Sequence, residues 1–126
     1  MSIKSSKTLV TEALSVVKTI SPKEALKKLE NNECNLIDIR GTIELQREGR
    51  VEKSFHIPRG LLEFQTKLTN PNGLEGFTPE NKIILYCASG GRAALAGKSL
   101  KDMGFDTVFN LGGLKDWAGA NLPIEK

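Results

Sequence analysis

The chain is poor in the residues that build metal and disulfide chemistry. Its 126 residues include two cysteines, one histidine, one tryptophan and one tyrosine. Cys34, Cys87 and His56 fall at no metal-ligand spacing, so no zinc site is expected and no cofactor is implied. Two cysteines so far apart do not make a disulfide framework. With no secretory signal in view, a reduced, cytoplasmic setting is the expectation. No apolar run approaches the roughly 20 residues that a transmembrane helix needs. Neither sign of charge dominates: 18 basic against 15 acidic residues leave +3, too mild a balance to argue for nucleic acid. Met1–Ile20 carries Lys, Ser and Thr but no Arg, and it includes Glu12, so it reads as part of the folded chain rather than as a transit peptide.

What is present suits one soluble globular domain, with 39% hydrophobic and 26% charged residues. The stretch Lys82–Leu100 organises the rest. Ile83-Ile84-Leu85-Tyr86 has the continuous apolar character of a strand buried on both faces. Ala93, Ala96, Leu100 and Met103 then follow the spacing of one helix face, ending at Gly104. Between strand and helix lies Cys87-Ala88-Ser89-Gly90-Gly91-Arg92. The first amides of a helix have no partner within it, and its dipole adds positive potential, so an anion and a thiolate are both favoured there. Gly90 and Gly91 let the backbone curl with N–H groups inward, and Arg92 closes the ring with a permanent planar cation. These residues describe a cysteine nucleophile in a cradle for an anionic substrate. The plainer reading makes Cys87 a small core residue at a strand end; it leaves the Gly-Gly-Arg unexplained.

Other elements follow in order. Leu9, Val10, Ala13, Leu14, Val17 and Ile20 keep helical spacing and predict an N-terminal amphipathic helix. Ser21-Pro22 with Glu24 marks a second helix start, closed by Asn31-Asn32. Strands are predicted at Leu36–Arg40, Ser54–Pro58 and Thr107–Leu111, and short helices at Gly41–Arg47, Leu61–Leu68 and Leu114–Ala118, with Trp117 as an anchor. Asp38 and Arg40, at the carboxyl end of their strand, are expected near the site, with Asp38 either pairing with an arginine or capping the next helix. Arg59 is expected to face the same mouth. His56 alternates with Phe55 and Ile57 and lacks an orienting carboxylate, which argues for a structural role. The Asn-, Gly- and Pro-rich Thr69–Asn81 reads as a loop, either a cleft wall or plain surface. Alternating strands and helices predict an α/β fold with a parallel sheet covered on both faces.

Four motifs in order carry a resemblance: Leu36-Ile37-Asp38-Ile39-Arg40, His56-Ile57-Pro58, Tyr86 through Arg92, and Asn110-Leu111-Gly112-Gly113 followed by Trp117. Together they resemble a single-domain rhodanese over about Ile20–Pro123. The division implied is an N-terminal helical extension over 1–19 and a rhodanese domain over 20–126. The resemblance implies a five-stranded parallel sheet and a sulfurtransferase in which Cys87 carries a persulfide. Sulfur would come from thiosulfate or a similar anionic donor and pass to cyanide, a thiol or a sulfur-accepting protein. Ala88, Ser89, Gly90, Gly91 and Arg92, with Arg59, would bind the donor, and Asp38 and Arg40 would support them. The chain departs from the family in reading Gly49-Arg50 where Gly-His is common, and in the small Ala88 and Gly91 of its loop.

Two rivals share the fold. Phosphatases and arsenate reductases of the Cys–Arg loop type resemble this arrangement but have five residues between cysteine and arginine, against four here. A smaller ring of donors suits sulfur better than a tetrahedral phosphate. A non-catalytic binding or regulatory module is the other rival; such relatives usually lack the cysteine that this chain keeps.

Overall fold

The structure, a computed structural model, describes residues 3–126, so the first two residues of the expected N-terminal extension lie outside it. Its elements run α1 (Ser6–Leu14), β1 (Lys18–Thr19), α2 (Pro22–Glu30), β2 (Cys34–Asp38), α3 (Thr42–Glu48), β3 (Arg50–Val51), β4 (Phe55–His56), a 3-10 helix (Arg59–Gln65), β5 (Lys82–Cys87), α4 (Gly91–Met103), β6 (Val108–Gly113), α5 (Leu114–Gly119) and β7 (Ile124–Glu125). Five strands form one parallel sheet in the order β1-β6-β5-β2-β4. The fold class is α/β with helices on both faces, as expected.

The sheet is centred on β5, whose Ile83, Ile84, Leu85 and Tyr86 are fully buried. Strand alternation sends Ile83, Leu85 and Cys87 into a layer shared with Ala93, Ala96 and Leu100 of α4. Ile84 and Tyr86 go to the opposite layer, with Ala25 of α2 and Trp117 of α5. Each such aliphatic side chain contributes about 1.5–3 kcal/mol when fully buried. The caps agree with the sequence: Ser21 Oγ accepts from the Glu24 amide at 3.1 Å, and Gly104 ends α4 with φ of 111°. Trp117 Nε1 donates to the Pro123 carbonyl at 2.8 Å, tying down the C-terminal segment.

Three elements differ from the sequence expectation. Helix α1 stops at Leu14, and Lys18–Thr19 instead pairs with Phe109–Asn110 as the edge strand of the sheet. The amides of Val16 and Val17 both turn back onto the Ala13 carbonyl and close the helix, and Val17 Cγ1 stands only 2.9 Å from where a Cβ on Gly97 would be. The side chain that kept helical spacing is buried by a different conformation. The expected Leu61–Leu68 helix is a 3-10 helix over Arg59–Gln65 that buries Leu62 and leaves Phe64 and Leu68 exposed. A small antiparallel pair, β3 with β7, occupies the charged Arg50 segment where the family motif departs. The Thr69–Asn81 loop is pinned to the core by Phe77, fully buried against Phe105 at 5.4 Å between ring centroids.

Candidate active site

Cys87 ends β5, and α4 begins four residues later at Gly91, so the intervening loop turns tightly over the carboxyl end of the sheet. Gly90 makes the turn with φ of 102°, a left-handed conformation that glycine adopts without steric cost. That turn aims the Gly90 N–H at the Cys87 sulfur, 3.0 Å away. The thiol faces the Gly112 carbonyl at 3.8 Å. Gly91 and Arg92 open a thirteen-residue helix, where the leading amides lack intrahelical acceptors and the dipole favours negative charge.

The far wall of the cradle comes from β6. Asn110, 2% exposed, donates from Nδ2 to the Gly90 carbonyl at 3.1 Å and accepts the Gly112 N–H on Oδ1 at 2.7 Å. Asp116 Oδ2 accepts the Gly113 N–H at 3.1 Å. One buried amide therefore clamps the cysteine loop to the Gly112-Gly113 turn. Asn110 and this Gly-Gly turn were legible as a motif but not as part of the site.

Arg92 stands in the first turn of α4, near enough to the Cys87 sulfur to feel its charge. Its Nη1 and Nη2 donate to Oε1 and Oε2 of Glu44 in α3 at 2.8 and 2.9 Å. The guanidinium is held in its charged form first by this bidentate bond, with the nearby Cys87 sulfur adding to it. The same bond from Arg92 brings the Glu44 carboxyl down to about 2, helped by the Gly41 N–H. Cys87 itself is 1% exposed. Sequence spacing places Glu44 on no distinctive face of a short helix, so nothing in the sequence marks it as a site residue.

Other expected site residues stand elsewhere. Asp38 and Arg40 form a fully buried ion pair, Nη2 to Oδ2 at 2.8 Å, on the sheet face away from Cys87. Arg40 Nη2 also donates to the Gly49 carbonyl at 2.7 Å. The Tyr86 hydroxyl donates to Asp38 Oδ2 at 2.5 Å and accepts the Val51 N–H at 3.0 Å. Burial first, and then the Asp38 charge, push the Tyr86 phenol up to about 12. Asp38 thus pairs with an arginine; the position before α3 is held by Gly41. His56 Nε2 donates to the Arg40 carbonyl at 2.7 Å, bracing the end of β2. Arg59 Nη1 donates to both oxygens of Glu63 at 2.9 and 3.0 Å, and Glu63 accepts from Ser99 on the flank of α4 at 2.5 Å. That chain of contacts draws Arg59 toward the middle of α4. Cys34 is half-buried at the opposite end of the sheet, where burial pushes its thiol up.

The rhodanese-like domain family matches residues 21–120, and the chain belongs to this family. A structure from Rhodopseudomonas palustris, described as a protein of unknown function and "possible tyrosine phosphatase", is 33% identical, with a TM-score of 0.87 over 99% of this chain and 98% of that one. The polysulfide-sulfur transferase homodimer of Wolinella succinogenes is 37% identical, with a TM-score of 0.75 over 94% of this chain and 85% of that one. An Allochromatium vinosum sulfurtransferase is 30% identical over 71% of this chain and 76% of its own length. Other relatives are longer: the chain spans 55% of YrkF from Bacillus subtilis and 29% of the tRNA uridine(34) hydroxylase of Chlamydia felis. Among the described residues, no helix is long and apolar enough to cross a membrane.

Proposed function

We propose that the protein transfers sulfane sulfur from thiosulfate or a similar anionic donor to a thiophilic acceptor through a persulfide on Cys87. The Cys87 thiolate attacks the outer sulfur of the donor. The donor's S–S bond breaks, and its electron pair leaves on sulfite. Cyanide or a thiolate then attacks the terminal sulfur of the persulfide, and the Cys87 thiolate is restored. This divides one difficult transfer into two displacements.

The observation that carries the reading is the Gly90 N–H directed at the Cys87 sulfur from 3.0 Å, just ahead of a helix whose second residue is the Arg92 cation. Such preorganised donors stabilise a thiolate and then the persulfide anion. Arg92 binds the donor's sulfonate oxygens bidentately. Arg59, engaged with Glu63, is assigned to the contact between the 3-10 helix and α4 rather than to the donor. The Asp38–Arg40 pair supports the site from behind by fixing the end of β2. The sulfur chemistry named for the Wolinella and Allochromatium relatives supports the same assignment, with small sulfur donors and thiol acceptors, or a sulfur-accepting protein, as partners.

A phosphatase reading draws on the description of the Rhodopseudomonas protein. The four-residue spacing from Cys87 to Arg92 disfavours it, since the ring of donors must match the oxyanion's size. Thiocyanate production from thiosulfate and cyanide, compared with turnover of p-nitrophenyl phosphate, separates the two. The account expects the first activity and its loss in Cys87→Ser. Phosphoester turnover without sulfur transfer would reverse the assignment.

A further inference from the structure

The cation that closes the Cys87 loop is already taken. Glu44 occupies the Nη1–Nη2 fork of Arg92 with both carboxylate oxygens, the planar geometry a sulfonate would use on the same fork. Glu44 is also held from behind, because its Oε1 accepts the Gly41 N–H at 3.1 Å in the first turn of α3, where a carboxylate suits the helix dipole. The side chain bridges α3 and α4 through this bond, and Cys87 is only 1% exposed. A donor must therefore take the fork from Glu44, and the displaced carboxylate stays beside it.

We propose that Glu44 is a specificity-determining residue. It competes with the donor for Arg92 and lays a negative charge at the mouth of the Cys87 loop, so the site favours singly charged sulfur donors over dianions. This rests on the sulfurtransferase reading. Thiosulfate and methanethiosulfonate separate the charge from the chemistry. Both present a sulfonyl group and an outer sulfur to the thiolate, and both yield the same persulfide, releasing sulfite in one case and methanesulfinate in the other. They differ by one unit of charge. A second negative charge on the donor, within a few ångströms of Glu44 at a partly exposed site, meets a repulsion strong enough to change donor binding several-fold.

The test measures kcat and KM for both donors in wild type, Glu44→Gln and Glu44→Ala, with thermal melting to check the fold. Glutamine keeps an oxygen for the Gly41 N–H and loses the charge. For thiosulfate, KM in Glu44→Gln is expected to fall roughly tenfold at low salt, with kcat much less affected, and for methanethiosulfonate by about threefold or less. The difference between donors should shrink as salt screens it. Glu44→Ala must shift the donor ratio in the same direction, and Glu44→Asp must keep it close to wild type. Equal changes for both donors, or a loss with both, would mean that Glu44 merely supports Arg92, and the inference would fall alone. Wild-type protein that accepts sulfur from neither donor would overturn the sulfurtransferase reading and this inference with it.

Discussion

A Cβ placed on Gly113 would stand 1.7 Å from the carbonyl oxygen of Ala88. The cysteine loop and the end of β6 are thus in backbone contact, with Asn110 bonding across them. Gly113→Ala cannot be absorbed by a flexible side chain, because its neighbour is main chain. The substitution is expected to cost about 2 kcal/mol or more and to displace the Cys87 loop. Urea unfolding and sulfur-transfer rate should fall together. A variant with wild-type stability and turnover would show that this contact does not shape the site.

Arg92 is the cation that closes the Cys87 loop, and its side chain is 42% exposed. Arg92→Ala is expected to raise KM for thiosulfate roughly tenfold or more through loss of a bidentate charge-assisted contact. Its melting temperature should stay close to wild type, since a partly exposed ion pair contributes little stability. Arg92→Lys restores the charge without the fork and should recover only part of the donor affinity. Steady-state kinetics on the three proteins check this, and an unchanged KM in Arg92→Ala would contradict the role.

Tyr86 makes stability fall at alkaline pH. Its phenol is raised from 10.0 to about 12 in the folded protein. Between those values the unfolded chain releases the proton while the folded chain retains it. The stabilisation is fully present below about pH 10 and is lost as pH rises toward 12, on the order of 2 kcal/mol in all. Lysines titrate in the same range, so the reading is a difference. Urea midpoints of wild type should fall more steeply between about pH 9 and pH 11.5 than those of Tyr86→Phe. Parallel curves would remove Tyr86 from the account.

The Cys87 loop was legible because its pattern is local. Strand, small-residue turn, arginine and helix follow one another from Lys82 to Leu100, and each residue's role depends on its immediate neighbours. Residues whose roles depend on distant partners were not legible. Glu44 joins the site only because its side chain reaches Arg92, across 48 positions of sequence. Asn110 reaches Gly90 from 20 positions away. Arg59 was expected at the mouth from its place after β4, but Glu63, one helical turn further on, draws its charge to Ser99 instead. Asp38 and Arg40 lie at the expected strand end, yet alternation puts their side chains on the Tyr86 face. The edge strand β1 was masked because Val17 and Ile20, on either side of it, satisfy helical spacing and are both buried. Fold class does not turn on these placements, since it depends on the order of strands and helices rather than on their ends.

The most direct test of the central claim is the intact mass of the protein after thiosulfate and again after cyanide. The account predicts a gain of one sulfur atom in wild type and in Cys34→Ser, its removal by cyanide, and no gain in Cys87→Ser. A sulfur adduct that persists in Cys87→Ser, or no adduct in wild type with thiosulfate or any related donor, would contradict it.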